Sequence, residues 1–451
     1  MRITMRWHML AILLALLVCA DGGQTRAQSR TDGRWVGTWA TALVARPQTP
    51  PGQPPPAQPV APGPGSTPQG QTGPAAPPQA LQGRGGPGAA PPLNFNNQTL
   101  RQIVRTSVGG DRIRVIFSNV FGTAPLAIGG ASVAIREKEA AIIPKSDRML
   151  AFGGSPSTVV PAGAVVFSDP VNLTVSPQAD LAIDLYLPGD TASTPSPVAT
   201  HIGALQTNFV SPTGNHVAAP DLPVMTTTQA WFFLARVEVL TAARTGTIVT
   251  FGDSITDGTR STANANKRWP DYLARRLMKD GNGAKWGVLN AGIAGNRVLS
   301  DGAGVSALAR FDRDALLQTG VTHVVVLEGI NDIGFARSNP SPSVADLIAG
   351  HRQLIERAHA RGLRIYGATL LPFEGAAYWT AEGEAKRQAL NEWIRTSKAY
   401  DGVIDFDAVV RDPRQPTLLL SMYDSGDRLH PSDAGYEAMA NAVDLDLFRT
   451  R

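Results

Sequence analysis

Ser254 closes the run Thr247-Ile-Val-Thr-Phe-Gly-Asp-Ser254 and is followed by Ile-Thr-Asp-Gly258. The β-branched and aromatic residues read as a buried strand, and the Gly-bearing polar turn after it places a hydroxyl at that strand's C-terminal end. Open α/β sheets keep their active sites there. Gly, Asp and Ser are also ordinary turn residues, so the segment acquires meaning only with partners. Ester cleavage by a serine needs a base, a group that orients the base, and donors for the developing oxyanion.

Candidates for each stand further along the chain. Asp427-Arg-Leu-His430-Pro-Ser-Asp-Ala-Gly435 sets an acid three residues before an imidazole, just ahead of a helix expected to start near Pro431. On one loop Asp427 can hold His430 in the tautomer that accepts a serine proton. Asp424 and Asp433 are rival acids with less suitable spacing. Asn290-Ala-Gly-Ile-Ala-Gly-Asn296 follows a second strand, and its glycines let the backbone turn tightly and point an N–H outward. The same run lacks the first glycine of a dinucleotide fingerprint. Glu328-Gly-Ile-Asn-Asp332 closes the apolar run Val324-Val-Val-Leu327, and the Asn331 amide can donate to an oxyanion without bringing charge. Taken singly, each segment also reads as a cap or turn. The other histidines, His8, His201, His216, His323, His351 and His359, fall outside these segments and suit surface or packing roles.

The elements that must position these groups follow from periodicity. From about residue 245, strand-like runs at 247–251, 285–290, 321–328, 364–369 and 403–406 alternate with helix-like stretches near 270–280, 304–318, 343–361, 381–399 and 432–448. Five such βα repeats imply a parallel sheet with helices on both faces. Residues 98–244 read instead as β-rich. Arg112–Phe117 and Asp180–Leu187 alternate apolar and polar residues, and shorter runs lie at 131–135, 164–168, 171–175 and 231–239, which predicts a β-sandwich or jelly-roll. Between the aromatic strand Trp35–Thr41 and this region lies a tract, 47–92, holding 16 of the chain's 35 prolines. Its composition predicts a disordered, PPII-rich loop. The strand before it should pair with strands after residue 98, making the tract a long loop inside one domain.

At the residues quoted for chemistry the chain resembles the SGNH hydrolases, also called the GDSL lipase/acylhydrolase superfamily, over roughly 247–448. Gly252-Asp-Ser254 resembles the first block, which implies Ser254 as nucleophile. Gly292-Ile-Ala-Gly295 is similar to the second, giving Gly295 a backbone N–H donor role. Gly329-Ile-Asn-Asp332 is similar to the third, giving Asn331 an amide donor role. Asp427-x-x-His430 resembles the fifth, giving the orienting acid and the base. The resemblance implies an oxyanion hole of Ser254, Gly295 and Asn331, and a three-layer α/β/α domain around a five-stranded parallel sheet. Trp35–Ala40, Leu100–Arg105 and Phe117–Gly122 more loosely resemble the extra β-rich domain of a secreted bacterial subgroup.

Composition sets the remaining bounds. At 451 residues the chain exceeds one typical core, so two domains are expected. They are 28–244, β-rich, and 245–451, the α/β domain. Arg2 and Arg6 before the apolar stretch Met9–Ala20 read as an export signal spanning 1–27, too short to span a bilayer comfortably. A periplasmic or extracellular location without stable membrane insertion follows. Cys19, the one cysteine, lies within that signal, so disulfides are not expected to stabilise the mature chain. The net charge is +4, with no dense Lys/Arg block, so nucleic-acid binding is not expected. No Cys/His ligand cluster implies a metal, and no cofactor is implied. The expected activity is hydrolysis of carboxylic esters, with O-acetyl groups on carbohydrate as the lead substrate. An exported O-acyltransferase using a sugar hydroxyl, and a lipase or arylesterase acting on short-chain esters, are the alternatives. The substrate is thus a small-molecule or polysaccharide ester, and the oligomeric state is not legible.

Overall fold

Continuous apolar runs suit strands buried on both faces of a parallel sheet, and five of them pair that way. Their spatial order is Lys285–Gly292, Thr245–Gly252, Val321–Leu327, Arg364–Ala368 and Gly402–Ile404, every pairing parallel. In chain order this is 2-1-3-4-5, so the winding reverses beside the first strand. Right-handed crossovers then send the helix after the first strand to one face and the helices between the later strands to the other, while the last helix follows the final strand and is free to join the first. The helices accordingly pack in two groups, Trp269–Lys279 against Asp433–Ala442 and Val344–His359 against Ala381–Thr396. Register brings Gly252 level with Gly292 on one side and with Leu327 on the other. Three strand ends therefore open side by side at the reversal point, where such sheets bind ligands.

The computed structural model describes residues 33–48, 94–242, 245–280, 285–335 and 341–449. The expected export signal, all but the first two residues of the Pro-rich tract, and the 244/245 boundary lie outside these residues. The elements expected after residue 245 match with local differences, while the run expected at 231–239 breaks at Phe233, φ 57°, into Ala230–Phe232 and Leu234–Ala242 of different sheets. The helix expected over 304–318 is a short α-helix, Ala307–Phe311, running into a π-helical turn, Asp312–Leu316. The helix expected over 432–448 starts at Asp433, capped by the Ser432 hydroxyl, and stops at Ala442, because Val443 is extended; a 3₁₀ turn, Leu445–Phe448, follows. The last strand is shorter than 403–406, since Asp405 caps a helix beginning at Phe406.

The region before residue 245 is β-rich, built mainly on a five-stranded and a seven-stranded sheet. Alternation does the packing: Ile113, Val115 and Phe117 of one sheet share a buried core with Leu181, Ile183, Leu185 and Leu187 of the other. The strand Gly33–Ala40 lies beside Leu234–Ala242, and Val44–Arg46 pairs with Val198–Ile202, so the chain before the Pro-rich tract is woven into strands after residue 98. Trp231, Phe232 and Phe233 belong to this core.

The β-rich region also covers the outer strand of the parallel sheet. The Val288 N–H donates to the Ser107 hydroxyl at 2.9 Å, and the Gly37 N–H donates to the Thr319 carbonyl at 3.0 Å. Gly287 is required there, because a Cβ would sit 2.0 Å from the Gly37 carbonyl oxygen. Covering a sheet edge removes a site of unwanted strand pairing.

Candidate active site

Each group of interest is held by backbone geometry at a strand end. After Gly252, the Asp253 carboxylate accepts the Ile255 N–H at 2.9 Å and caps a one-turn helix, Ser254–Asp257. Gly258, at φ 94°, closes that turn. Gly292 lies so close to it that a Cβ would meet the Asp257 nitrogen at 2.2 Å. Asn290 adds a bond from its amide to the Thr256 carbonyl at 2.7 Å. The Ser254 hydroxyl is thus presented by a turn clamped against the neighbouring strand.

The loop from 424 to 432 brings the imidazole to it. His430 Nε2 lies 2.8 Å from Ser254 Oγ, and Nδ1 lies 2.9 Å from Asp427 Oδ2. Asp427 Oδ1 accepts the N–H groups of Leu429 and His430, while Arg260 Nε donates to Oδ2 at 3.1 Å. Burial alone would raise the Asp427 pKa. The hydrogen bond and charge of His430, with the two backbone donors, outweigh it and hold the carboxyl well below its usual range. The rival acids are engaged elsewhere: Asp424 accepts the N–H groups of Gly426 and Arg428, and Asp433 binds Thr262 and Lys267.

The two candidate oxyanion donors lie on the loops after the second and third strands. Gly295 has φ 80°, a conformation that favours glycine, and among the described residues nothing accepts its N–H. Asn331 is buried in a short helix, Ile330–Gly334, entered through Gly329 at φ 121°. One amide hydrogen of Asn331 goes to the Asn296 carbonyl at 3.0 Å, which ties the second strand-end loop to the third and leaves the other hydrogen available. Asp332 fastens the same two loops by accepting the N–H groups of Val298 and Leu299 at 2.8 and 3.0 Å.

Beneath these loops lies a polar core that the sequence did not announce. Arg310 is fully buried and donates to the carbonyls of Gly252 and Ala291, to Asn296 Oδ1 and to Glu328 Oε1. One guanidinium thereby pins the ends of the first two strands. Around it Asp253, Glu328 and Asp332 are buried. Burial, aided by the charges of neighbouring carboxylates, raises the Asp253 and Glu328 carboxyls, and burial pushes Asp332 up to about 6 against the N–H donors of Val298 and Leu299. In an amphipathic helix a lone arginine reads as a solvent-facing residue, so no local signal marked Arg310.

His201 also departs from expectation. Its surface or packing role is replaced by a buried bridge from the β-rich region to Asp257, at the end of the Ser254 turn. Nothing near His201 in sequence pointed to a partner 56 residues away.

Ser254, His430 and Asp427 thus stand in one chain of hydrogen bonds at the reversal point of a doubly wound sheet. Residues 250–438 match the model of the GDSL-like lipase/acylhydrolase family. Those residues form a GDSL-like lipase/acylhydrolase domain of the SGNH superfamily, and the domain is that of a carboxylic ester hydrolase. No curated protein matches the sequence. Solved structures similar to it include a lipolytic protein of the G-D-S-L family from Desulfitobacterium hafniense, 21% identical, covering 44% of this chain and 96% of that one, with a TM-score of 0.34. A lipase/acylhydrolase from Enterococcus faecalis is 22% identical, covering 44% and 92%, with a TM-score of 0.36. A variant of an acetyl xylan esterase from Geobacillus stearothermophilus is 22% identical, covering 44% and 92%, with a TM-score of 0.34. Among the described residues no helix is long and apolar enough to cross a membrane.

Proposed function

We propose that this protein is an exported serine esterase working through Ser254, His430 and Asp427, with O-acetyl groups on carbohydrate as its substrates. The observation that carries the reading is the 2.8 Å contact between His430 Nε2 and Ser254 Oγ, with Asp427 2.9 Å from the other ring nitrogen. With Nδ1–H donating to an ionised Asp427, Nε2 carries the lone pair. As Ser254 Oγ attacks the ester carbonyl carbon, Nε2 takes its proton, and the carbonyl π electrons move onto oxygen. The N–H groups of Ser254 and Gly295 and the free Asn331 amide hydrogen stabilise that oxyanion. Its collapse expels the alcohol, which takes the proton from His430. Water then attacks the acyl-enzyme by the same route, releasing the acid and regenerating Ser254.

A polar surround supports the carbohydrate assignment. Arg260, beside the loop that carries His430, and Arg428, on it, are both partly exposed, and hydrogen-bonding groups suit a polyol better than a long acyl chain. Export rests on the basic and apolar pattern of residues 1–27.

Assay of Ser254→Ala and His430→Ala on a chromogenic acetate ester tests the mechanism. Each should lose roughly 10⁶ in kcat if the groups act as a unit, and near-native turnover by either removes the assignment. Acetate release from acetylated xylan and pectin, set beside an acyl-chain-length series, tests the substrate. A preference for long acyl chains would overturn that part.

A further inference from the structure

The β-rich region reaches the nucleophile's own turn through one side chain. His201, in the strand Val198–Ile202, is buried between two oxygens. Its Nδ1 lies 2.9 Å from the Ala42 carbonyl and its Nε2 2.9 Å from Asp257 Oδ1. A carbonyl only accepts, so Nδ1 carries hydrogen. The second contact then needs a proton between Nε2 and the carboxyl group as well. If that proton leaves, two lone pairs face each other at hydrogen-bond distance inside the protein.

Asp257 is the last residue of the helical turn that Ser254 begins, and its N–H donates to the Asp253 carbonyl at 2.9 Å. The Ser254 carbonyl accepts the N–H groups of Gly258 and Thr259 just beyond it, each at 2.9 Å. Movement of Asp257 therefore moves the backbone on which the nucleophile sits. We infer that His201 is a positioning residue for the ester hydrolase, holding Ser254 in register with His430 by clamping Asp257 from the β-rich region. The inference rests on Ser254 being the nucleophile.

The surroundings are few and identifiable. Trp231 packs on the His201 ring with centroids 5.7 Å apart. Arg268 donates to the Ala204 carbonyl and opposes protonation of His201 by its charge. Tyr436, close enough to feel the Asp257 charge, donates its hydroxyl to the Thr259 carbonyl at 2.7 Å. Burial alone would lower the His201 pKa; the charge and hydrogen bond of Asp257 and the Ala42 carbonyl outweigh it, and the pKa lies above the ordinary imidazole value. A raised folded-state pKa means the clamp is complete below the unfolded-state value and is lost as pH rises through the folded one. The structure thus assigns an alkaline limb of kcat to this pair.

Two variants of the full chain test it on a chromogenic acetate ester, with kcat and KM measured against pH and spontaneous hydrolysis subtracted. His201→Phe keeps a ring but unpairs Asp257. It should lower kcat roughly ten- to a hundred-fold, as small misplacements of a reacting group do, while KM changes by less than about three-fold, since the substrate contacts remain. In Asp257→Asn the amide donates to the Nε2 of a neutral His201, so both bonds survive without a removable proton. That variant should keep kcat within about three-fold of native at neutral pH, since the clamp's geometry is retained, and lose the alkaline limb. If His201→Phe fails to fold, Asp257→Asn still reads the clamp. Native kcat in His201→Phe, or superimposable alkaline profiles for native and Asp257→Asn, overturns the inference. Should Ser254→Ala be dead while the profiles coincide, only the clamp is refuted. Should Ser254→Ala stay active, the site assignment falls and the clamp with it.

Discussion

Two histidine–aspartate pairs flank one helical turn, and they differ in what the second ring nitrogen meets. His430 has Asp427 on Nδ1 and a hydroxyl, able to donate, on Nε2. His201 has Asp257 on Nε2 and a carbonyl, unable to donate, on Nδ1. In the proposed mechanism the first arrangement lets His430 aim a lone pair at Ser254, which is the condition for a base. The second needs a hydrogen on Nδ1 and another between Nε2 and the Asp257 carboxyl group, which is the condition for the inferred clamp. On this proposal identical side chains take opposite work from one neighbouring atom.

Making the same substitution in both pairs sharpens the contrast. In Asp427→Asn the side-chain oxygen must stay where it accepts the Leu429 and His430 N–H groups. The amide nitrogen then faces His430 Nδ1 as a donor, forcing the hydrogen onto Nε2, where it blocks proton transfer from Ser254. We expect kcat to fall by about 10⁴, the order seen when a triad histidine is locked in the wrong tautomer. Asp257→Asn, by contrast, leaves neutral-pH turnover close to native. Equal losses in the two variants would erase the distinction between base and clamp.

A smaller effect separates charge stabilisation from base chemistry. Asn331→Ala removes a donor while leaving the Ser254–His430 contact in place. It should cost on the order of 10²–10³ in kcat without shifting the acid limb of the pH profile. A shifted limb would mean that the loop, not the amide, had changed.

The smallest effect concerns the buried carboxyls under the site. Asp253 Oδ2 has no partner among the described residues, and burial raises its pKa. A carboxyl raised on folding binds more protons folded than unfolded, so its contribution to stability declines as pH climbs above the ordinary carboxyl range. Asp253→Asn keeps an acceptor for the Ile255 N–H and has no proton to lose. Its Tm relative to native should therefore rise with pH between 5 and 8, by about 2–4 °C if roughly 1 kcal/mol is at stake. A pH-independent Tm difference would show that Asp253 stays ionised.

Legibility in the sequence followed the range of the interactions. Ser254, Gly295, Asn331 and His430 could be singled out because each sits in a short segment whose strand and turn chemistry are local. Spacing set Asp427 apart from Asp424, but Asp433 also lies three residues from His430, and that it turns to Thr262 and Lys267 instead is a tertiary outcome. The five strands were readable because parallel strands buried on both faces need uninterrupted apolar runs. Helix ends were less so, as at Ala442, where the chain turns extended at Val443 although the residues beyond remain compatible with helix. Arg310 and His201 carried no local mark. A buried arginine and a surface arginine have the same neighbours in sequence, and what distinguishes Arg310 is a set of strand-end carbonyls supplied by the fold.

From its residue order alone, then, the chain marks the candidate groups, the loops that carry them and the strand ends they follow, because backbone conformation and hydrophobic period act over a few positions. Only the folded molecule decides that an imidazole 176 residues after Ser254 meets its hydroxyl, that Arg310 ties two strand ends from beneath, and that the β-rich region holds Asp257. Those contacts depend on how sheets stack and in what register strands pair, and no stretch of a few residues contains that information.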